Sequence, residues 1–430
     1  MHEQSSVIGR HMSRRGFLSA AGALGAGLML SGCTSRPDGA TNISFYVSKP
    51  EVIASMESLI ARYNKEQSRV HVTVDSTSNV PADFTRNGPP DLGFWNYNFS
   101  MVEFVTHGTL MDLAHTAAAQ SVESSLWPMV KVVADYPGRT SVIPYSVITE
   151  AVIYNKEIFD KHGITQVPTT WTEFVEVCEK LQSQGVTPIY STYGDPWTIA
   201  QGMFDYTIGG LVDIPEFLKA MSKEGTKVGP DSKVSFSKDL RPAMEKMVAL
   251  AKYSNKDAAS RHYGDGNTAF AQGKAAMYLQ GPWALSQIAL TNSHMQLGTF
   301  PLPVTENPDD LRVRLDLDIA LWIPEALPSG QKAAAMDLLD WLWQPKIADA
   351  YNNTNDGYSP RKGAPAPSNP VLNGMKKYYE NGQYYMGMSQ LIPSQIPVAN
   401  YVQAIVLGSS IDSQLQLLDQ AWARYSYLPS

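Results

Sequence analysis

Residues 41–75 read TNISFYVSKPEVIASMESLIARYNKEQSRVHVTVD and contain three hydrophobic patterns in succession. Ile43, Phe45 and Val47 alternate with polar residues, which is typical of a strand with one buried face. The alternation returns over 70–74, and between the two runs apolar residues lie at helical spacing, at Ile53, Met56, Ile60 and Tyr63. The stretch therefore predicts a strand–helix–strand unit, which favours an α/β fold.

The next segments repeat this alternation of strands and helices. Residues 91–95 predict a short buried strand that ends at Trp95-Asn96-Tyr97-Asn98, and in open α/β sheets ligands bind at the carboxyl ends of strands. Thr170 and Glu173 form a capping box, which predicts the start of a helix with Cys178 on its buried stripe. Two further helices are predicted, over 241–253 and 332–343.

Composition limits the classes of protein that the chain can belong to. Its 430 residues are enough for two or three domains or lobes. The net charge is −7 and no basic run follows the first fifteen residues, so we expect no nucleic-acid partner. The two cysteines, Cys33 and Cys178, are too few for a disulfide framework or a Cys-rich zinc site. We expect neither a metal nor a cofactor.

The first 33 residues have the pattern of an export signal. Ser13-Arg14-Arg15-Gly16-Phe17-Leu18 is a twin-arginine pattern, an apolar run follows over 17–30, and Leu30-Ser31-Gly32-Cys33 ends it. A membrane span or a buried helix is the alternative, but the run is short and rich in Gly and Ala. The segment resembles a bacterial lipoprotein signal, which implies cleavage before Cys33 and a lipid on its thiol. Residues 34–41 then form a tether, and the body lies outside the cytoplasmic membrane, anchored to its outer face.

Catalytic motifs do not stand out in this sequence. It has no H-E-x-x-H, G-x-S-x-G, P-loop or G-x-G-x-x-G pattern, and its eight histidines are scattered. Asp316 and Asp318 are two residues apart, so on a strand they would share one face and could suit the paired carboxylates of a glycosidase. We expect a binding protein rather than an enzyme, and keep an exported glycosidase or lyase as the alternative.

Three segments carry a resemblance to a known family. They are the run at 144–161, with Tyr154-Asn155-Lys156 after an apolar strand; the run at 270–283, with Phe270-Ala271-Gln272-Gly273-Lys274 and then Gly281-Pro282-Trp283; and Gly194-Asp195-Pro196-Trp197. Together they resemble the extracellular solute-binding proteins that feed sugars to ABC importers, and the similarity spans nearly the whole chain from Ile43 onward.

The resemblance implies a fold and a function. The fold is a two-lobe periplasmic-binding-protein-like α/β fold, in which each lobe is a sheet flanked by helices and the ligand cleft lies between the lobes. The function is capture of a small carbohydrate, most simply an oligosaccharide, by a monomer that delivers it to the permease subunits of an importer. A polyol or a phosphorylated solute remains an alternative ligand, since Lys49 and Arg361 could face a phosphate.

Aromatic residues next to short polar ones support a sugar site independently of the resemblance. A sugar offers apolar C–H faces and a rim of hydroxyls, which flat rings and polar side chains complement. Trp95 with Asn96 and Asn98, Trp197 with Asp195, and Trp283 with Gly281 are such pairings at predicted turns. The alternative is that these rings are ordinary packing residues.

The resemblance also implies roles for individual residues. Trp283 and Trp197 would stack on the ligand from opposing lobes, and Asp195 would accept a hydroxyl. Where the maltose-binding pattern has an acid and an arginine after Trp95, this chain has Asn98 and Phe99, which argues for a less charged subsite. The remaining candidates are Tyr46, Ser48 and Lys49 at the end of the first strand, Tyr358 and Arg361 in a C-terminal loop, and also Tyr145, Glu150 and Asp316.

The chain is expected to cross between the lobes several times. Crossings near Tyr145, near Pro301-Leu302-Pro303 and near Ala350 place 42–145 and 303–350 in lobe 1. Residues 146–302 and 351–430 then form lobe 2.

Overall fold

The computed structural model describes residues 39–425, and the predicted export signal, Cys33 and most of the tether lie outside this range. Its strands are β1 (Thr41–Val47), β2 (Val70–Asp75), β3 (Leu92–Asn96), β4 (Ile143–Asn155), β5 (Thr187–Tyr190), β6 (Ala275–Gln280), β7 (Leu297–Phe300), β8 (Val313–Trp322) and β9 (Tyr384–Met386).

Helices cover both faces of these strands. They are α1 (Ile53–Glu66), α2 (Val80–Thr85), α3 (Val102–Thr106), α4 (Ala117–Gln120), α5 (Trp127–Val133), α6 (Lys156–Lys161), α7 (Trp171–Ser183), α8 (Pro196–Ile199), α9 (Asp205–Gly209), α10 (Ile214–Glu224), α11 (Phe236–Asp239), α12 (Arg241–Ala251), α13 (Tyr263–Ala271), α14 (Trp283–Thr291), α15 (Ser329–Leu342), α16 (Pro345–Thr354), α17 (Asn373–Glu380), α18 (Val398–Val406) and α19 (Ile411–Tyr425).

The strand–helix–strand unit predicted from the opening residues is confirmed. β1 and β2 pair in parallel, with Ile43 opposite Val72, and α1 connects them. β3 pairs in parallel with β1 on the other side and antiparallel with β8. The first half of β4 pairs with β8 and completes this sheet, which together with its packed helices we call lobe 1. Lys49 and Asn96 lie at the carboxyl ends of β1 and β3, where the parallel strands leave an open edge.

A second sheet continues from the same long strand. The second half of β4 pairs antiparallel with β6 and β7, and β5 joins β6 in parallel. We call this sheet with its packed helices lobe 2. Because β4 runs through both sheets without a break, the expected boundary at 145/146 falls inside a strand, and the lobe boundaries stay a prediction. β4 is buried along nearly its whole length, since helices and loops of both lobes cover it.

Local sequence signals agree with the observed helices. Thr170 accepts a hydrogen bond from the Glu173 backbone N–H at 3.2 Å, and the Glu173 carboxylate accepts one from the Thr170 N–H at 3.3 Å, so the predicted capping box starts α7. Cys178 is fully buried, as its place on the apolar stripe predicted. The helices expected over 241–253 and 332–343 are α12 and α15. Between residues 39 and 425, no helix is both long and apolar enough to span a membrane.

Candidate functional site

A cavity of about 580 Å³ lies between the two lobes, a volume typical of small-molecule sites. Residues from lobe 1, from the shared strands and from lobe 2 all contribute to it. Those lining it are Lys49, Pro50, Glu51, Asn96, Tyr97, Asn98, Ile148, Trp197, Gln201, Tyr263, Trp283, Gln287, Asp316, Leu317, Asp318 and Gln390.

The lobe 1 wall of this cavity is polar. Lys49, just after β1, donates to the Asp318 carboxylate at 2.7 Å, and its Nζ lies 3.8 Å from Glu51. The Asn96 amide, at the end of β3, donates to the Asp318 carbonyl at 3.1 Å. Burial alone would lower the pKa of Lys49, but the charge and hydrogen bond of Asp318 outweigh it and raise that pKa. Lys49 therefore stays charged and held in its ion pair.

Two aromatic rings pair on the lobe 2 wall. Trp197, in the first turn of α8, and Tyr263, which begins α13, have ring centroids 5.0 Å apart at an interplanar angle of 60°. Asp195 stabilises this arrangement. Its carboxylate accepts a hydrogen bond from the Tyr263 backbone N–H at 2.7 Å and is hydrogen-bonded to the His262 ring nitrogen Nδ1 at 2.9 Å. Asp195 was expected to accept a sugar hydroxyl, but it lies outside the cavity lining and positions Tyr263 instead.

Trp283 forms the other aromatic surface, at the start of α14. Its ring lies against the backbone of Gly281, where a Cβ would stand 2.2 Å from the ring. A side chain at 281 would therefore displace the indole. Trp283 and Trp197 do share one cavity. The expectation that they face each other from opposing lobes is wrong, because Trp197 follows β5 and Trp283 follows β6, and both strands belong to lobe 2.

The floor of the cavity is formed by β8, where Asp316 and Asp318 alternate with Leu317. Behind Asp316 lies Arg314, whose side chain is fully buried. Arg314 Nη2 is 2.8 Å from the Asp316 carboxylate, and its other nitrogens meet two further buried carboxylates, those of Asp205, at 3.0 Å, and Glu150. The Arg314 guanidinium thus forms ion pairs with three carboxylates. Burial raises the pKa of Glu150 well above its ordinary value and raises that of Asp205 to about 6.

Several residues expected at the site lie elsewhere in lobe 1 and the shared strands. Tyr145 is fully buried in the core, where its hydroxyl donates to the Leu342 carbonyl at 3.1 Å. Trp95 is half-buried, lies outside the cavity lining and packs edge-on against Tyr46, with ring centroids 6.0 Å apart. Ser48 donates to the Asn96 side chain at 3.2 Å and so supports a lining residue without lining the cavity itself.

The two expected residues of the C-terminal loop also lie outside the cavity. Tyr358 is buried against Tyr379, with ring centroids 3.9 Å apart, because the loop forms a bridge to Val147 of β4. Arg361 is paired with Asp349 at 2.9 Å, which satisfies its charge within the loop region.

The remaining expected residues line the cavity or support it. Lys49, Asn96, Asn98, Trp197, Trp283 and Asp316 line it, and Gly281 gives the Trp283 ring its place. Sequence reasoning missed Tyr263, Gln201, Gln287 and Gln390, which come from separate helices and loops of lobe 2. It considered Asp318 only as the partner of Asp316 in an acid pair. The two-residue spacing on a strand also indicated that both side chains could line a ligand site.

Comparison with known proteins agrees with this arrangement. Residues 47–349 match the sequence model of a family described as bacterial extracellular solute-binding protein. The chain is 23% identical over 363 residues to the multiple sugar-binding protein of Streptococcus mutans, covering 83% of each chain. It is 24% identical over 298 residues to the melibiose/raffinose/stachyose-binding protein MelE of Bacillus subtilis, covering 66% of this chain and 67% of that one.

Solved structures share the fold at low sequence identity. The apo form of RafE from Streptococcus pneumoniae superposes with a TM-score of 0.72 at 18% identity, covering 91% of this chain and 99% of that one. A sugar transporter from Bacillus licheniformis in complex with stachyose gives a TM-score of 0.69 at 15% identity, covering 89% and 100%.

Proposed function

The chain belongs to the family of bacterial extracellular solute-binding proteins, and from this premise we propose that it captures a carbohydrate in its interlobe cleft and delivers it to an ABC importer. The relatives support a sugar as the ligand, since one is named for multiple sugars and another for melibiose, raffinose and stachyose. Those names, and the stachyose bound to a structural neighbour, favour an oligosaccharide.

The observation that carries the proposal is the composition of the cavity between the lobes. Three aromatic side chains, those of Trp197, Tyr263 and Trp283, line its lobe 2 wall, and amides and carboxylates are prominent among the other lining groups. Rings suit the C–H faces of a sugar, and the polar groups suit its hydroxyls. A purely apolar ligand would leave these polar groups without partners, at a cost in free energy.

Ligand binding and lobe closure are coupled because the three aromatic rings lie on the lobe 2 wall and the Asn96 and Asn98 amides on the lobe 1 wall. A sugar stacked on lobe 2 reaches Asn96 and Asn98 of lobe 1 only when the lobes approach. The ligand therefore binds the closed form more tightly and shifts the population toward it. The closed form is the one presented to the importer, and no bond of the ligand is broken.

Attachment to the membrane completes the proposal. The twin-arginine pattern and Cys33 favour export followed by lipidation of the Cys33 thiol, which leaves the folded body on the outer face of the cytoplasmic membrane. Mass spectrometry of the membrane fraction tests this: a diacylglyceryl group on Cys33 is expected, and a chain that begins at Met1 in the cytoplasm would contradict it. We propose that the body acts as a monomer.

An exported glycosidase is the competing function, with Asp316 and Asp318 as its carboxylate pair. Each of these carboxylates already forms an ion pair, Asp316 with Arg314 and Asp318 with Lys49. A glycosidase acid must be free to give its proton to the glycosidic oxygen. The two ion pairs therefore favour binding over hydrolysis.

Calorimetry and product analysis test the function together. Raffinose, stachyose and chito-oligosaccharides are titrated into the protein, and the same mixtures are chromatographed after prolonged incubation. We expect saturable binding of at least one saccharide, with every saccharide recovered intact. Stoichiometric release of shorter sugars would show an enzyme, and no binding by any saccharide would refute the proposed ligand class.

A further inference from the structure

The charges of the cleft point to a restriction on its ligand. Lys49 is the one basic side chain among the described residues that line the cavity, whereas Glu51, Asp316 and Asp318 are acidic. A smaller adjoining cavity of about 50 Å³ shares Lys49, Glu51 and Trp283 with it and adds Asp356. The cleft therefore has an excess of carboxylates over cations.

The single cation is not available to a ligand. Lys49 Nζ is 2.7 Å from Asp318 and 3.8 Å from Glu51, and its side chain is only 12% exposed. Moving it onto a ligand anion would break an ion pair that is nearly buried on both sides, and a buried carboxylate left without its partner is costly. Lys49 therefore stabilises the cleft wall and does not recognise an anion.

The buried guanidinium behind the floor does not change this balance. Arg314 is inaccessible and divides its nitrogens among three carboxylates, so its charge is already neutralised. Helices α13 and α14 begin at the cavity with Tyr263 and Trp283, and their two N-termini together carry only about one positive charge. That is less than the carboxylate excess. Arg361, the other cation considered for a phosphate, is outside the cavity and paired with Asp349.

We infer that the cleft selects saccharides that carry no anionic group and rejects phosphorylated and uronic-acid sugars, while a protonated amino group is accepted. This inference rests on the proposed function and narrows its ligand class. The cleft walls strengthen the repulsion, since a low-dielectric groove with an excess of one sign of charge focuses its field. A neutral sugar meets no such cost, because carboxylates and amides accept and donate hydrogen bonds to its hydroxyls.

Related saccharides with and without a charged group test the inference. Raffinose, stachyose and triacetylchitotriose are the neutral probes, de-N-acetylated chitotriose is the cationic one, and the forms of raffinose and stachyose carrying a carboxylate at C6 are the anionic ones. Binding is measured by calorimetry at low and high ionic strength. We expect each carboxylated sugar to bind at least about tenfold more weakly than its parent, with a smaller ratio at high salt.

Two variants test whether the weaker binding of anionic saccharides depends on Lys49 and Asp318. Asp318→Asn frees the Lys49 ammonium, so the ratio of neutral to anionic affinity should fall toward one. Asp349→Asn is the matched control, because it frees Arg361 outside the cavity and should leave the ratio as in the wild type. Lys49→Met provides a second measure and should widen the ratio.

The outcomes separate this inference from the function on which it rests. If a carboxylated sugar binds as tightly as its neutral parent, or if Asp318→Asn leaves the ratio unchanged, the charge selection is refuted while sugar binding stands. If neither the neutral nor the charged saccharides bind, the proposed function itself fails and the inference falls with it.

Discussion

The indole of Trp283 lies so close to Gly281 that a Cβ added at residue 281 would stand 2.2 Å from Cζ3 of the ring. The Trp283 ring can therefore occupy this position only because residue 281 has no side chain. The chain reaches this place at the end of β6, where Gly281-Pro282 separates the strand from α14. The relationship gives a test of the site in which no lining side chain is removed.

We expect Gly281→Ala to weaken saccharide binding roughly tenfold, about 1.4 kcal/mol, because the new Cβ must push the indole out of its position. Gly264→Ala is the matched control, since a Cβ there has no atom within 4 Å and affinity should not change. Calorimetry measures both. Equal affinity of Gly281→Ala and wild type would show that the ring does not contact the ligand.

Direct removal of the ring should have a larger effect. Trp283→Ala is expected to weaken binding by roughly 1–3 kcal/mol while the protein stays folded, as for loss of a stacking surface. Trp171→Ala removes a tryptophan of lobe 2 that packs on Phe174 and Lys246 away from the cavity, and should leave affinity unchanged. If Trp283→Ala fails to fold by circular dichroism, Trp283 is a core residue and the assignment is wrong.

The Asp195–His262 pair predicts a measurable titration. The hydrogen bond that the His262 ring makes to the Asp195 carboxylate raises the pKa of His262 above its usual 6.5. The pair therefore stabilises the protein fully below the unfolded pKa, and this contribution is lost as the pH rises through the raised folded value. NMR titration of His262 should give a midpoint above 6.5 in the wild type and close to 6.5 in Asp195→Asn.

The same variant tests whether Asp195 acts through Tyr263. Asp195→Asn should lower saccharide affinity severalfold, because the Tyr263 backbone loses the carboxylate that holds it. Asp257→Asn serves as control, since Asp257 pairs with Arg261 in the same loop and does not touch His262 or Tyr263. A His262 midpoint that is unchanged by Asp195→Asn would contradict the pairing.

The Arg314 cluster predicts how stability depends on pH. Burial raises the pKa of Asp205 to about 6, from an ordinary value of 3.8. Between these values the folded protein binds a proton that the unfolded chain does not, so the free energy of unfolding should rise as the pH falls from 7 to 5. The raised pKa of Glu150 acts in the same direction.

Denaturant unfolding at pH 7 and pH 5 measures this effect. Asp205→Asn should be less sensitive to that change of pH than the wild type, because the substituted side chain no longer titrates. Identical pH dependence of the two proteins would show that Asp205 is not the group that takes up the proton.

Sequence reasoning found those parts of the molecule that depend on local pattern. The β1–α1–β2 unit follows from period-two and helical spacing, and α7 from Thr170 and Glu173. Trp197 was identifiable because it stands beside Asp195 and Pro196 in a turn, although the roles of the two residues differ: the ring lines the cavity and the acid supports Tyr263.

What the sequence could not reveal depends on tertiary packing. Tyr263 reaches Trp197 only because α13 packs next to α8, and 65 residues separate them, as the positions 197 and 263 show. Trp95 and Asn96 are adjacent on one strand and so point to opposite faces: Asn96 lines the cavity, whereas Trp95 packs against Tyr46 outside it. The alternation was available from the sequence, but which face borders the cavity depends on how the lobes pack.

A crystal structure with the tightest-binding saccharide would test the proposed site in the interlobe cavity better than any other measurement. We predict one saccharide in the interlobe cavity, stacked on Trp283, in contact with Trp197, and hydrogen-bonded to Asn96 or Asn98 across the closed cleft. A saccharide bound outside this cavity, or one touching lobe 2 alone with the lobes still apart, would contradict it.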